Sequence, residues 1–380
     1  MTSTESAERA LFASTAAEFL DKEASLRTVR ELHAADQSFD PGWWRRATEL
    51  GWTSLLVSDD LGGGSVSGNG VADLALIAEL AGRTVAPGPL HPVNIVLAGL
   101  VDANNRADHA AHIGALMAGE AVASWAVYEP DRPFEPLAPT LTATATSTGY
   151  RLSGVKDRVE AAAESDLLLV VARLAGEVHQ FVVQTHADGV RIEPTPSIDM
   201  VKRYARVSFD DVDVSVGATV GHPGQTPALI DRQIQIALIM QCAELVGMLD
   251  TMLATTIAWA LDRHTFGRAL ASYQALKHRF ADLKTRFEAC RATTAHAVSE
   301  VAARSPNADL AASIAKSFVG EWASVMLQDF IQLHGGIGLT WEHDLHLFLR
   351  RAALYRAMYG DPDHHNRRIF ARLTESEVAQ

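Results

Sequence analysis

The sequence predicts an α+β protein of three successive regions: a helical domain over 1–118, a small, mostly antiparallel β domain over 119–222 and a helical bundle over 223–380. Three observations carry this prediction. Apolar residues recur at helical spacing in ESAERALFASTAAEFLDKEA and VADLALIAELAGRTVA near the start and in DRQIQIALIMQCAELVGMLDTMLATTIAWALDR later on, the pattern of helices that bury one face. Between them lie short β-branched runs, among them ASWAVYEP, DLLLVVARL, HQFVVQT and ARVSFDDVDV, separated by turn residues, as strands joined by tight connections require. Gly62-Gly63-Gly64 and Pro87-Gly88-Pro89 interrupt the first region, and Gly221-His222-Pro223-Gly224 separates the sheet from the bundle, since Gly and Pro terminate regular elements. The closing TESEVAQ reads as a frayed tail.

With 380 residues, 48% hydrophobic and 21% charged, the chain can bury a large core and divide into two or three domains. Charges break its apolar segments before any reaches the roughly 20 residues that cross a bilayer, and MTSTESAERA lacks the basic and apolar parts of a secretory signal. A cytoplasmic location is the default expectation. Cys242 and Cys290 both fall inside helical patterns, which suits reduced structural thiols and excludes a disulfide framework or a cysteine-built metal site. The net charge of −13 argues against broad contact with nucleic-acid phosphate. Phosphorylated cofactors stay open, because a few local cations and backbone N–H groups hold those.

Two stretches of the last region place such groups together. In Arg263-His264-Thr265-Phe266-Gly267 an Arg ends a long helix and a Gly lets the chain turn, and Gln274 follows eleven positions after the Arg. A guanidinium and an amide can then meet one polyanionic ligand. In Gln332-Leu333-His334-Gly335-Gly336-Ile337-Gly338 closely spaced glycines let a ligand approach exposed backbone N–H groups. Alone, the glycines also fit a helix C-cap turn followed by a new helix.

The pair R-x-x-F-G…Q and Q-x-x-G-G-x-G, in the third region of a helix, sheet, helix chain, resembles the acyl-CoA dehydrogenase family over nearly the whole length. LGWTSLLVSDDLGGG at 50–64 is similar to the family's N-terminal Leu-Gly…Gly-Gly segment, with Ser58 where a Pro is usual. The resemblance implies a C-terminal four-helix bundle, FAD as cofactor, and Arg263, Phe266, Gln274, Gln332, Gly335 and Gly336 as contacts to the ADP part of a neighbouring subunit's FAD. A narrower likeness, in IQLHGGIGLTWEHDLHLFLRRA, GVKDRVEAAAESDLLLVVAR and GDPDHHNRR, is to actinobacterial members acting on steroid side chains and other bulky acyl groups. Such members often form heterotetramers of two unlike subunits that share FAD sites.

The reaction so implied needs a carboxylate to take the α-proton of the thioester while the β-hydrogen leaves as hydride to the flavin. The family's Glu-Gly pair falls here on Tyr359-Gly360, and a Tyr, with an ordinary pKa of about 10, is a poor base. The alternative family position on the long helix is Ala237. Glu244, two helical turns further on, should share that face. It is the candidate base, with partial burial expected to raise its pKa; a Glu on a polar helix face, paired with a cation, is the competing reading. The segments that cradle a flavin ring in the family fall on Tyr128-Glu129-Pro130-Asp131-Arg132-Pro133 and Arg158-Val159-Glu160, both degenerate. Glu160 would oppose negative charge on a reduced flavin unless Arg158 or Lys156 offsets it or the side chain turns away.

His343, Asp344, His346, His364 and His365 lack metal-ligand spacing. Arg350, Arg351, Arg367 and Arg368 suit either CoA or FAD phosphates or a solvated face, and Trp43, Trp44 and Trp52 suit the core. Two functions remain in view. The first is FAD-dependent α,β-dehydrogenation of an acyl-CoA, with Glu244 as base and an electron-transfer flavoprotein as oxidant by family analogy, in a homo-oligomer or a heterotetramer. The second is a non-catalytic subunit that completes a homologous partner's FAD site. An acyl-CoA oxidase is a third, weaker variant.

Overall fold

In the computed structural model, which describes residues 3–378, six helices come first: α1 (Ser3–Glu23), α2 (Leu26–Ala34), α3 (Pro41–Glu49), α4 (Gly70–Arg83), α5 (Leu90–Asp102) and α6 (Ala110–Met117). Side-chain caps set their starts. The Asp40 carboxylate accepts the N–H groups of Gly42 and Trp43 at 3.2 and 2.9 Å, with Pro41 in the first turn of α3. Asn69 accepts the Ala72 N–H at 3.0 Å and begins α4. Trp43, Trp44 and Trp52 are core residues, and Phe19 meets Trp52 edge-on at 5.6 Å.

Eight strands follow: β1 (Ala123–Ala126), β2 (Thr142–Ala145), β3 (Gly149–Glu160), β4 (Leu167–Leu174), β5 (Glu177–Gln184), β6 (Val190–Thr195), β7 (Tyr204–Ser215) and β8 (Thr219–Val220). They form one sheet in the order β6-β7-β3-β2-β4-β5-β8, with β1 added beside β4. β1 and β2 run parallel to β4; the remaining pairings are antiparallel. Strand periodicity places Leu167, Leu169 and Val171 in the large core shared with the helices and Leu168, Val170 and Ala172 in a second core on the other face. β4 is therefore covered on both sides, which is why its sequence is a continuous apolar run instead of an alternation.

The bundle comprises α7 (Thr226–Asp262), α8 (Gln274–Ala302), α9 (Ala308–His334), α10 (Leu345–Ala357) and α11 (Pro362–Val378), with a hairpin of β9 (His264–Thr265) and β10 (Arg268–Ala269) between α7 and α8. α9 is central and touches the other four helices, the shorter α10 joining the four longer ones. α7 is long and apolar enough to cross a membrane by length and composition, and 89% of its apolar window is buried inside the protein. Arg232, Glu244 and Asp250 interrupt its apolar run, in keeping with the expectation that charges break such stretches before they reach about 20 residues.

α4 and α7 cross at glycines. A Cβ on Gly82 would lie 2.0 Å from the Glu244 carbonyl oxygen, and one on Gly247 would lie 1.8 Å from that of Glu79. Backbone sits on backbone at this crossing, and it sets the height of Glu244 relative to the N-terminal helices. Gly247→Ala should therefore force the helices apart and destabilise the fold by about 3 kcal/mol, the upper end of overpacking costs. Gly114→Ala, where nothing stands within 4 Å of the new Cβ, should be neutral or stabilising by up to about 1 kcal/mol. Denaturant midpoints of the two variants test the contrast.

Candidate functional site

The ends of α7 and α9 frame a groove. α7 stops where Arg263 turns extended, its N–H still bonded to the Trp259 carbonyl at 2.8 Å. Phe266 (φ 53°) and Gly267 (φ 81°) make the turn of the β9–β10 hairpin, both left-handed as a two-residue hairpin requires. α9 stops at His334 because Gly335 (φ 69°) caps it, and a 3-10 turn carries the chain over Gly335–Leu339. Between these ends lies a groove of about 690 Å³ lined by Arg263, Gln332, Gly335 and Gly336 with Trp259, Arg279 and His334. Nothing approaches within 4 Å of a Cβ built on Gly335 or Gly336, so the backbone there is bare, whereas Gly338 is a packing glycine against the Ile331 carbonyl.

Four of the six expected contact residues, Arg263, Gln332, Gly335 and Gly336, thus share one groove. Phe266 and Gln274 are not among its lining residues: Phe266 is 93% exposed at the hairpin tip, and exposed Gln274 lies beside His278 with their Nε2 atoms 3.2 Å apart. Trp259 and His334 were not anticipated as wall residues. Trp259 is four residues before Arg263, and the Arg263 guanidinium lies 5.8 Å from its ring centroid, so the helical spacing carried that signal.

The candidate base has a different fate. Glu244 is 2% exposed. One carboxylate oxygen accepts from Arg351 Nη1, and the other accepts the Tyr355 hydroxyl at 2.8 Å and lies 2.8 Å from His91 Nε2. Arg351, itself fully buried, also binds Asp199 through Nε and Nη2. Burial alone would raise the Glu244 pKa; Arg351 and His91 outweigh it and hold the carboxyl well below the usual range. This reverses the expected direction of the shift, and both carboxylate oxygens are engaged inside the core. Nor is Arg351 a phosphate contact or a solvated charge, the two fates expected of it. Arg350 donates to the Ile198 carbonyl at 3.2 Å, and Arg368 pairs with Asp309.

Tyr359 is buried too, next to a small cavity of about 220 Å³ lined by Tyr128, Phe134, Arg158 and Gly360. Tyr359 is buried among Trp125, Tyr128 and Phe134, stacked on Trp125 at 6.2 Å between centroids, and its N–H donates to the Tyr128 hydroxyl. Arg158 lies over Tyr128 at 4.5 Å and donates to the Glu129 carbonyl at 3.1 Å. The Glu129 carboxylate binds Lys156 at 3.0 Å and the Thr140 and Leu141 N–H groups. Glu160 pairs with Lys202 at 2.7 Å, so its charge is offset by a residue other than the expected Arg158 or Lys156. His343 meets His334 edge-on at 4.9 Å, and His346 stacks on Trp341 at 4.8 Å.

Comparison with known proteins accords with this architecture. The family descriptions "Acyl-CoA dehydrogenase, N-terminal domain" and "Acyl-CoA dehydrogenase, C-terminal domain" match residues 6–120 and 228–374. Acyl-CoA dehydrogenase IpdE2 of Mycobacterium tuberculosis is 30% identical over 373 residues, covering 98% of this chain and 97% of the relative. The chain belongs to the acyl-CoA dehydrogenase family. IpdE2 of Mycolicibacterium smegmatis is 29% identical over 97% of this chain and 99% of its own. Among solved structures, butyryl-CoA dehydrogenase of Megasphaera elsdenii superposes with a TM-score of 0.89 at 20% identity, covering 98% of this chain and 99% of that one. A variant of the steroid ACAD Tcur3481-Tcur3483 gives 0.88 at 23% identity, with 98% and 99% covered. These structures share the α+β fold expected from the sequence, with helical, sheet and helical parts in that order.

FAD is the cofactor of this acyl-CoA dehydrogenase chain, and two places on it can be tested for fit. The groove fits the diphosphate end: it joins a guanidinium, an amide and bare backbone. At the segments that fall on the family's ring cradle, Tyr128, Phe134, Arg158 and Gly360 line a cavity of about 220 Å³, smaller than the 690 Å³ groove, and Glu129 is turned into a buried bond to Lys156. Gly336→Leu should place a side chain in the groove and remove bound flavin, while its thermal midpoint stays within 2 °C (about 0.5 kcal/mol) of the flavin-stripped wild type. The absorbance ratio at 450 and 280 nm, read beside a melting curve, measures both. Glu244→Gln should instead leave Arg351 half paired and cost about 3 kcal/mol near neutral pH. Because the folded carboxyl titrates below its unfolded value, that loss should shrink as pH falls below the unfolded pKa of about 4.5, which urea titrations at pH 7 and 4 would show.

Proposed function

We propose that this chain is the FAD-clamping subunit of a hetero-oligomeric acyl-CoA dehydrogenase and that the α-proton base belongs to a homologous partner subunit. The observation that carries the reading is the contrast between an open nucleotide groove at Arg263 and Gln332 and a closed core at Glu244, Arg351 and Tyr359. When bound, FAD supplies the acceptor for the substrate's β-hydride. In this chain Arg263 neutralises diphosphate charge, Gln332 offers its amide and Gly335-Gly336 present backbone N–H groups. The groove lies open at the protein surface, flanked by Phe266 and Leu339, which are 93% and 80% exposed. Such apolar side chains around a polar ligand groove favour a second subunit that seals the nucleotide from water.

The same core argues against an acyl pocket on this chain. Glu244, His91 and Tyr355 occupy the space between α5, α7 and α10, and the Glu244 carboxylate there is already engaged by Arg351 and Tyr355, away from any α-proton. A bulky or steroid-type acyl-CoA is the substrate class we favour for the assembly, on the name of the steroid ACAD among the structural relatives. An electron-transfer flavoprotein is the corresponding oxidant, by family analogy.

Co-expression with a homologous acyl-CoA dehydrogenase subunit tests the reading. We expect one FAD per heterodimer, loss of that FAD in Arg263→Ala, and substrate-induced bleaching at 450 nm in Glu244→Gln equal to wild type per bound flavin. One FAD per copy of this chain in a homo-oligomer, bleached by acyl-CoA and silenced by Glu244→Gln, would overturn it. Oxygen uptake without an electron-transfer partner would mark the assembly as an oxidase.

A further inference from the structure

The seam between the first helical region and the sheet holds a cavity of about 530 Å³, and none of its described lining residues belongs to the flavin groove or to the core around Glu244. Phe39 and Trp44, beside and within α3, and Val122, just before β1, give it an apolar wall. Glu120, Glu164 and Asp166 stand around that wall, three carboxylates to the single guanidinium of Arg45 among the described lining residues. The seam is pinned beside the cavity. Ser38 donates to Glu164 Oε1, joining the helices to the turn between β3 and β4, and Asp166 Oδ2 accepts the Val122 N–H at 2.8 Å.

Two polar atoms of these wall residues have no partner. Trp44 is 1% exposed, and its Nε1–H, which can only donate, meets no acceptor among the described residues. Glu164 Oε2 is withdrawn from solvent and meets no donor, while Ser38 occupies the other oxygen of that carboxylate. Buried polar atoms left unpaired are costly, so a donor and an acceptor in this condition on one cavity point to a ligand that brings the complementary pair. The cavity's volume lies in the range of small-molecule sites, about 300–1,000 Å³.

Charge selects the class of that ligand. An excess of carboxylates repels phosphates and free carboxylates and attracts a cation, and aromatic walls favour a cation with an apolar body. A primary ammonium would give Glu164 Oε2 a charge-assisted hydrogen bond, and a carbonyl oxygen in the same molecule would accept from Trp44 Nε1. The simplest apolar molecules carrying both groups, and no carboxylate, are α-amino amides. We propose that this cavity binds a small α-amino amide, with its ammonium on Glu164, its carbonyl on the Trp44 indole and its apolar side chain against Phe39 and Val122. The site is separate from the flavin clamp, and its occupation does not depend on that reading.

The test is calorimetric titration of the full-length oligomer at pH 7 with L-leucinamide, with L-leucine and with 4-methylpentanamide, which is leucinamide without its amine. At that pH an α-amine with an ordinary pKa of about 8 is mostly charged. Leucinamide should bind saturably, one per chain, and at least about tenfold more tightly than either analogue, as one hydrogen bond to a charged group contributes. Glu164→Gln should weaken leucinamide about tenfold and leave 4-methylpentanamide unchanged. Trp44→Phe should weaken both amides severalfold. Ala121→Leu, which narrows the cavity from a partly buried wall position, should abolish binding and serves where the Trp44 variant does not fold. Flavin content should be the same in all three variants. No saturable binding of leucinamide, equal affinity for leucinamide and 4-methylpentanamide, or equal leucinamide affinity in wild type and Glu164→Gln would overturn the proposal.

Discussion

Arg351 is the residue on which the rest of the architecture turns. Its guanidinium is fully buried and binds Asp199, from the loop after β6, and Glu244, from the middle of α7, while lying within 3.5 Å of the Val85 and Ala86 carbonyls that follow α4. One side chain on α10 thus ties together the N-terminal helices, the sheet and the bundle. A charge so placed is tolerated only when every donor is matched. The matching partners come from parts of the sequence more than a hundred residues away, and Val85 adopts a left-handed φ of 52° to bring its carbonyl into range.

This constraint explains why the molecule is closed at one place and open at another. Glu244 and Tyr355 partner the polar interior around Arg351, with His91 Nε2 2.8 Å from Glu244, and Trp125, Tyr128, Phe134 and Tyr359 pack against one another beside them, leaving only a small cavity of about 220 Å³ at the sheet–bundle interface. Packed cores have little room for a ligand as large as a flavin ring. The far ends of α7 and α9 have no such obligation: their last turns must end somewhere, and the hairpin and the Gly335 cap that end them leave backbone and a guanidinium exposed to one groove. Polar atoms left without internal partners, at Trp259 and His334, are found there too.

Much of this was legible in the residues. The switch from helical to strand spacing and back gave the order of the elements, and the α+β class with it. The motif spacing brought Arg263 to Gln332, Gly335 and Gly336. Phe266 and Gln274 share that motif yet sit at the rim and on an exposed helix face, because hairpin and helix directions, not spacing, decide where side chains point. Helical spacing predicts a partly buried Glu244 with a raised pKa, or else a Glu on a polar face paired with a cation. It is instead pinned by Arg351, a residue 107 positions away in sequence, and no local pattern announces such a partner.

The sequence by itself determined the element types, the family and the chemistry of the last-domain motifs, since periodicity, glycine and the Arg/Gln spacing are local properties of the chain. Only the tertiary structure decided which carboxylates are committed and which grooves stay open. Burial and ion pairing are set by residues that meet across the fold, and the sign of a pKa shift depends on whether desolvation or a buried cation dominates at that point. For Glu244 the cation dominates.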